Sequence, residues 1–462
     1  MPNPNRFPQL ACNALLAALA CIAAAGLARA ADNDADVRRI VDHEIGGLVA
    51  YYKALHAAPE LSHQETQTAA QLAGELRAAG YQVSEHIGKY STPGLTGHGI
   101  VGVMRNGAGP TLLIRTELDA LPVAEKTGLP YASTRRMKND AGTDMPVMHA
   151  CGHDVHVSAL LGVARVMAKL RDRWSGTLEL VGQPAEETID GAVAMLNDGL
   201  YERIPRPDVA LALHDTPEIA TGTINVTPGF SLAASTQMDV LVRGVGGHGS
   251  APQVAKDPVV LAANIIMQLQ TIVSRETSPF DQAVVTVGTI HGGTKRNIIP
   301  DEVKLELTTR SYSDKSRQVI IDGLKQFAAG LSLSANLPVD KAATVTVLAD
   351  ESTPAEYNDP RLSDEVRGIL VKTLGSDHVL PVQKLMSSED VGVFGMSADL
   401  KRNEIPVAYF RLGAMDPEKL AAAEAEGKHL PGLHTSRFEP LPGLTIATGV
   451  RAMSAVATAL LQ

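Results

Sequence analysis

Two hydrophobic periodicities alternate along the chain. Apolar residues recur at three and four positions from Ala31 to about Lys53 and again from Thr66 to Ala79, where Gly80 stops the pattern; both read as helices. Three short, nearly unbroken apolar runs, Thr111–Thr116, Thr177–Gly182 and Asp208–Leu213, read as buried strands. Each run ends in polar chemistry: Glu117-Leu118-Asp119, Gln183-Pro184-Ala185-Glu186-Glu187 and His214-Asp215. Strands alternating with helices and delivering acids and imidazoles at their C-terminal ends predict an open, mostly parallel α/β sheet.

Near Phe230 the pattern changes. Strand 237–242, helix 257–275, strand 283–290, strand 302–310, helix 315–329 and strand 344–348 follow in turn. That β-α-β-β-α-β order predicts an inserted ferredoxin-like α+β domain. Helix 362–374, strand 407–412 and helix 444–460 then resume the α/β character. The predicted fold class is α/β, a mixed and mostly parallel catalytic sheet with a ferredoxin-like lid. The expected divisions are a signal peptide at 1–30, a catalytic domain at 31–228 and 347–462, and a lid and dimerisation domain at 229–346.

The densest chemistry is Met148-His149-Ala150-Cys151-Gly152-His153-Asp154-Val155-His156. In an extended or loop backbone Cys151 and His153, two apart, project to one side, and Gly152 allows a tight turn between them. The 157–170 stretch behind has helical spacing, with Asp154 a reasonable N-cap.

Composition narrows the function. The 462 residues favour two domains; 45% hydrophobic and 20% charged residues are an ordinary globular balance. A net charge of −10, no basic run, and aromatics at 4% argue against nucleic acid. Leu10 to Leu27 is uncharged and rich in Ala and Leu, and Ala28-Arg29-Ala30 fits a cleavage site before Ala31. The expectation is a periplasmic or secreted protein. No later stretch is expected to span a membrane. Cys12 and Cys21 would leave with the signal peptide, so Cys151 would be the sole mature cysteine, a thiol that metal ligation would protect.

Cys151, His153, Glu187 and His214, with His434 as a further candidate, offer sulfur, nitrogen and oxygen donors suited to zinc, manganese or cobalt. Adjacent side chains diverge, so one of Glu186 and Glu187 can ligate while the other acts as general base.

The segments RTELDALP (115–122), HACGHDVH (149–156), QPAEE (183–187), GGHGSAP (246–252), GGTKRNIIP (292–300) and LHTSRF (433–438) occur in order. Together they resemble the aminoacylase/carboxypeptidase family of metallohydrolases, most nearly the amidohydrolase branch that includes hippurate hydrolases and indole-acetyl-amino-acid hydrolases. The resemblance covers nearly all of the mature chain. It implies two divalent cations, zinc or manganese foremost and cobalt or nickel as further options. Cys151, His153, Glu187, His214 and His434 match the ligands, with Cys151 bridging. Glu186 matches the general base, and Asp119 the carboxylate that orients a ligand histidine. His248, Asn297 and Arg310 resemble lid residues that grip the substrate carboxylate and the oxyanion, His248 reaching toward a neighbouring subunit of a homodimer. An Arg fork and an Asn amide suit a carboxylate, and an imidazole can donate to an oxyanion. Two positions depart from the family pattern: Glu117 stands where Asp is usual, and Val391 follows Ser388-Glu389-Asp390 where Phe is usual. The implied activity is hydrolysis of N-acyl amino acids or small peptides. The competing classes are a cysteine amidase with Cys151 as nucleophile and a solute-binding protein without catalysis.

Overall fold

The computed structural model describes residues 33–397, 400 and 403–462; the expected signal peptide and its cleavage site lie outside them. In chain order the principal elements are α1 (33–57), α2 (Thr66–Ala78), β1 (Gln82–Ile87), β2 (Gly99–Asn106), β3 (Thr111–Glu117), α3 (His153–Lys169), β4 (Gly176–Gln183), β5 (Val209–Ala220) and β6 (Ile224–Val226). Next come β7 (Ala234–Arg243), α4 (Pro258–Thr271), β8 (Ala283–Gly292), β9 (Glu302–Ser311), α5 (Asp314–Ser334) and β10 (Thr344–Thr353). The chain closes with α6 (Pro360–Leu374), β11 (Val379–Leu380), β12 (Val407–Met415) and α7 (Pro442–Leu460).

The central sheet has eight strands in the order β1-β2-β4-β3-β5-β12-β6-β11. Its heart is parallel, β4/β3, β3/β5 and β5/β12, and antiparallel pairs flank it. Strand β3 is buried from Leu112 to Glu117, as a parallel strand covered on both faces must be. Helix α3 is buried almost throughout, with α7 and α1 packed beside it. Helix α7 is long and apolar enough to cross a membrane, contrary to the expectation that no such stretch follows the N-terminus. Its Ile446, Val450, Met453 and Val456 are instead buried in the main core, so its hydrophobicity serves packing.

The second sheet, β8-β9-β7-β10, is wholly antiparallel, and with α4 and α5 it has the predicted ferredoxin-like topology. Here the burial alternates: β9 points Val303, Leu305 and Leu307 at Leu261, Ile265, Ile320 and Leu324 of the helices. One face is covered by helices and the other is open, hence the period of two. The final strand runs to Thr353, so residues 347–353 extend this sheet beyond the predicted boundary at 346. Asp350 and Glu351 break the apolar pattern there because the strand end is exposed. Two short connecting segments, Gly229–Leu232 and Glu356–Asn358, pair antiparallel where the chain enters and leaves the insertion.

Away from these sheets a buried imidazole gives a pH signature. His63, at φ +66°, contacts Asp140 (Nδ1–Oδ2 2.8 Å) and Asp190 (Nε2–Oδ2 3.1 Å). Burial opposes its charge, but the bonds to Asp190 and Asp140 prevail and raise its pKa to about 9. A folded-state pKa above the unfolded value near 6.5 stabilises fully below that value, and the gain is lost as pH rises through about 9. His63→Gln is therefore expected to flatten the fall in thermal midpoint between those pH values. Identical wild-type and variant slopes would contradict the assignment.

Candidate metal centre

Gly152 makes the site possible. It is the N-cap of α3 at φ +79°, and a Cβ there would lie 2.2 Å from Asp215 Oδ1. Glycine alone suits both the left-handed backbone and the close approach. Asp154 was the expected N-cap, but the cap is Gly152 and the helix starts two residues earlier, at His153. Asp154 sits in the first turn and accepts from His56 Nδ1 at 2.7 Å. Cys151 and His153 thus converge through a left-handed turn into a helix, not along an extended strand.

His153 Nδ1 lies 2.9 Å from the Asp119 carbonyl and 3.3 Å from its Oδ1. A carbonyl oxygen only accepts, so Nδ1 carries a proton and Nε2 is the nitrogen left to face a cation. His214 repeats the arrangement, with Nδ1 donating to the Asp215 carbonyl at 2.6 Å while Nε2 faces Cys151 Sγ at 3.4 Å. His214 lies inside β5, which continues to Ala220 instead of ending at Leu213 as predicted, because β12 pairs with it past that point.

His434 approaches from the 430s loop at φ +61°, its backbone N–H donating to the Ala150 carbonyl at 2.7 Å. Its Nε2 lies 3.2 Å from Cys151 Sγ and 3.5 Å from Glu187 Oε2. Ala185, at φ +51°, turns the chain after β4 so that Glu186 and Glu187 face the cluster. Such backbone strain in non-glycine residues costs about 1–3 kcal/mol each and gathers at functional sites. Asp119 Oδ2 accepts from the Glu187 N–H at 3.0 Å and from Ser62 Oγ at 2.7 Å.

Among the donor groups whose atoms lie within 4.8 Å of one another are Cys151/His153/His214 and Cys151/Glu187/His434. Cys151 belongs to both. Glu186 belongs to neither of these two; its Oε2 lies 3.6 Å from His153 Nε2, and it forms a further group with His153 and Glu187. His153 Nε2 and Glu187 Oε1 are buried without a hydrogen-bond partner, which fits donors aimed at a cation. The electrostatics agree. Burial, with Glu187 and Glu186, pushes the Cys151 thiol well up, and burial, with Glu389 and Glu187, pushes Glu186 well up. Burial is also the main cause that raises Glu187 to about 7 and lowers His214 to about 4. Burial opposes a charge on His153, yet Asp119 and Glu117 raise its pKa to about 10. Cys151, Glu187 and His153 are thus held toward protonated forms whose protons bound cations would displace, while His214 is already neutral. A thiol crowded by carboxylates is the reverse of an activated cysteine nucleophile.

Sequence reasoning missed the supporting ring. His156 faces Glu117 Oε2 at 2.8 Å through Nδ1 and accepts from the Asp215 N–H at 2.8 Å through Nε2. Beneath Glu186, the fully buried Arg115 pairs with Glu117, with Glu389 Oε1 and Asp390 Oδ1 at 2.7 Å each, and with Gln183 Oε1 at 2.7 Å. The signal was adjacency, since Glu117, His156 and Asp215 each lie within three residues of a predicted site residue. Val391, one departure from the family pattern, is buried in the core.

A cavity of about 290 Å³ opens onto the cluster, lined among others by Cys151, Glu186, Glu187, His214 and His434, and by Arg310 from the lid. Arg310 donates to Ser235 Oγ at 2.7 Å and Thr308 Oγ1 at 2.6 Å. His248 and Asn297 do not line it. They share an exposed ribbon, where the Gly249 N–H donates to the Asn297 carbonyl at 2.9 Å. Within one chain, then, the structure brings Arg310 to the predicted site and leaves the other two outside it.

An open α/β sheet that presents a thiol, imidazoles and a carboxylate to one point, with a second carboxylate over a cavity, defines a metallohydrolase. The model of peptidase family M20/M25/M40 matches residues 113–431, and the chain belongs to that family, as an enzyme acting on amide bonds. It is 33% identical over 392 residues to an N-acetyldiaminopimelate deacetylase of Leuconostoc citreum, covering 83% of this chain and 93% of that protein. It is 33% identical over 342 residues to a hippurate hydrolase of Campylobacter jejuni, covering 74% and 82%. The solved structure of a putative aminohydrolase from methicillin-resistant Staphylococcus aureus superposes with a TM-score of 0.78 at 28% identity, over 93% of this chain and all of that one.

Proposed function

We propose that the protein hydrolyses the amide of N-acyl amino acids or small peptides with two divalent cations. His153 and His214 would hold one and Glu187 and His434 the other, with Cys151 shared between them. The observation that carries this reading is the membership of Cys151 in two donor groups that do not include Glu186, which lines the cavity beside them. Zinc or manganese suits the donors best, with cobalt or nickel as substitutes. Bound, the cations supply Lewis acidity that polarises a carbonyl and acidifies a water. Glu186 takes the proton of the attacking water on its carboxylate and returns it to the leaving nitrogen. Asp119 holds His153 in the ligating tautomer. Dialysis against a chelator is expected to abolish turnover of an N-acyl amino acid panel, and adding back zinc, manganese, cobalt or nickel should restore it. Undiminished turnover by protein shown metal-free by elemental analysis would overturn the proposal, as would an acyl-Cys151 adduct in mass spectra.

Arg310 reads the substrate carboxylate. Its Nη1 is engaged by Ser235 and Thr308, which fixes the fork over the cavity. Arg310→Ala is expected to raise KM for free-acid substrates about 10-fold or more, the worth of a charge-assisted hydrogen bond, and to leave the corresponding methyl amides nearly unaffected. Equal losses on both would contradict it.

The exposed apolar residues Val284, Ile290 and Ile298 on the lid support a homodimer in which His248 and Asn297 reach a neighbouring cavity. Sedimentation of a monomer at all working concentrations would sink this arrangement. The N-terminal pattern supports export, and N-terminal sequencing should find Ala31 first.

A further inference from the structure

Besides Arg310, the cavity is lined by a second arginine, from the catalytic domain. Arg411 lies on β12, paired in parallel register with His214 of β5. It is only 5% exposed. Its Nη2 donates to Asn225 Oδ1 at 3.4 Å, the Gln383 carbonyl at 3.4 Å and Gln383 Oε1 at 3.1 Å, all neutral acceptors. Its Nη1 is buried with no partner. Among the described residues no carboxylate is in salt-bridge contact with it, Glu218 acting on it only from beyond contact, whereas the other buried arginine, Arg115, has three.

A guanidinium taken out of water without a counter-ion is strongly disfavoured unless a ligand supplies one. A planar fork with a free edge suits a carboxylate. Arg310 already serves one carboxylate from the lid, and Arg411 stands on a different element, beside the ligand His214. We propose that Arg411 binds a second carboxylate on the substrate, so that the preferred substrates are dianionic N-acyl amino acids. This rests on the amidohydrolase reading of the cavity. The second carboxylate can belong to the amino-acid side chain or to the acyl chain; the recognising chemistry is the same.

The test uses the metal-reconstituted mature enzyme and two matched pairs: N-acetylglutamate against N-acetylglutamine, and N-succinyl-leucine against N-succinamyl-leucine. The dianion of one pair is expected to have a kcat/KM about 10-fold or more above its neutral isostere, and the pair that does so locates the carboxylate. Arg411→Gln should erase that preference through KM, with kcat and the neutral isostere changed by less than about threefold. Arg411→Lys keeps the charge without the fork and should retain part of the preference, and it answers the question if the Gln variant does not fold. No preference in either pair for the wild type, or equal losses on dianion and isostere in the variant, would overturn the proposal. Thermal stabilisation by glutarate and succinate separates this failure from that of the activity itself. If no N-acyl amino acid is turned over, the amidohydrolase reading falls. A stabilisation seen in wild type and missing in Arg411→Gln still upholds the anion site, and one equal in both removes it.

Discussion

Replacing Glu186 by Gln is expected to lower kcat by about 10²–10⁴, the usual worth of a positioned general base, while metal content stays at the wild-type level. Glu186 lines the cavity, with its Oε2 3.6 Å from His153 Nε2. Gln keeps its shape and removes its proton acceptor. KM should change little, because the lost interaction is made in the transition state. Glu187→Gln should behave in the opposite way. Glu187 Oε2 lies 3.5 Å from His434 Nε2 and its Oε1 lies 3.9 Å from His153 Nε2, so its loss should deplete metal, with activity partly rescued by excess cation. Elemental analysis beside kcat for both variants decides the matter. Metal lost from Glu186→Gln and kept by Glu187→Gln would reverse the two roles.

Arg115→Met should be among the most destabilising single changes in the catalytic domain, by about 3–5 kcal/mol, the cost of stranding buried charges whose partner is removed. Glu117, Glu389 and Asp390 all rely on this one guanidinium, and none is more than 2% exposed. Burial pushes Asp390 up to about 8 even with Arg115 present to lower it. Without Arg115 these acids must take up protons or draw in water. Arg115 also lowers the pKa of Glu186, so the variant should lose kcat as well as stability. Arg115→Lys keeps the charge but cannot span several acceptors with one planar fork, and its loss should be smaller. A denaturation midpoint within experimental error of wild type for Arg115→Met would show that the acids are compensated by some other route.

Local order was legible wherever a local rule governs. The nearly unbroken apolar run at 111–116 announced a doubly covered strand, and β3 is that; 302–310 was read as a strand, and β9 spans it. The order of the lid elements was readable for the same reason, since the period of two and the helical period interleave in only a few topologies. Cys151, His153, Glu187, His214 and His434 were identifiable because donor residue types are scarce and clustered, and because the motifs around them resemble a family. Element ends were less legible. Strand β5 outran its apolar stretch because β12 continues to pair with it past Leu213, and α3 began two residues early because Gly152 caps it from a left-handed conformation.

What the sequence by itself determined, then, is the class of each element and the set of donor atoms, both of which depend on a residue and its near neighbours along the chain. Only the tertiary structure decided which donors meet. Cys151 becomes common to two groups because His214 and His434, 63 and 283 residues further along, arrive on either side of its sulfur. It likewise decided which charges are answered. Arg115 and Arg411 are both arginines in apolar strands, yet one is answered by Glu117 of its own strand and by Glu389 and Asp390 from a distant segment, and the other faces a cavity with Nη1 unpartnered. Burial and pairing are properties of packed neighbours, and those neighbours are chosen by the fold.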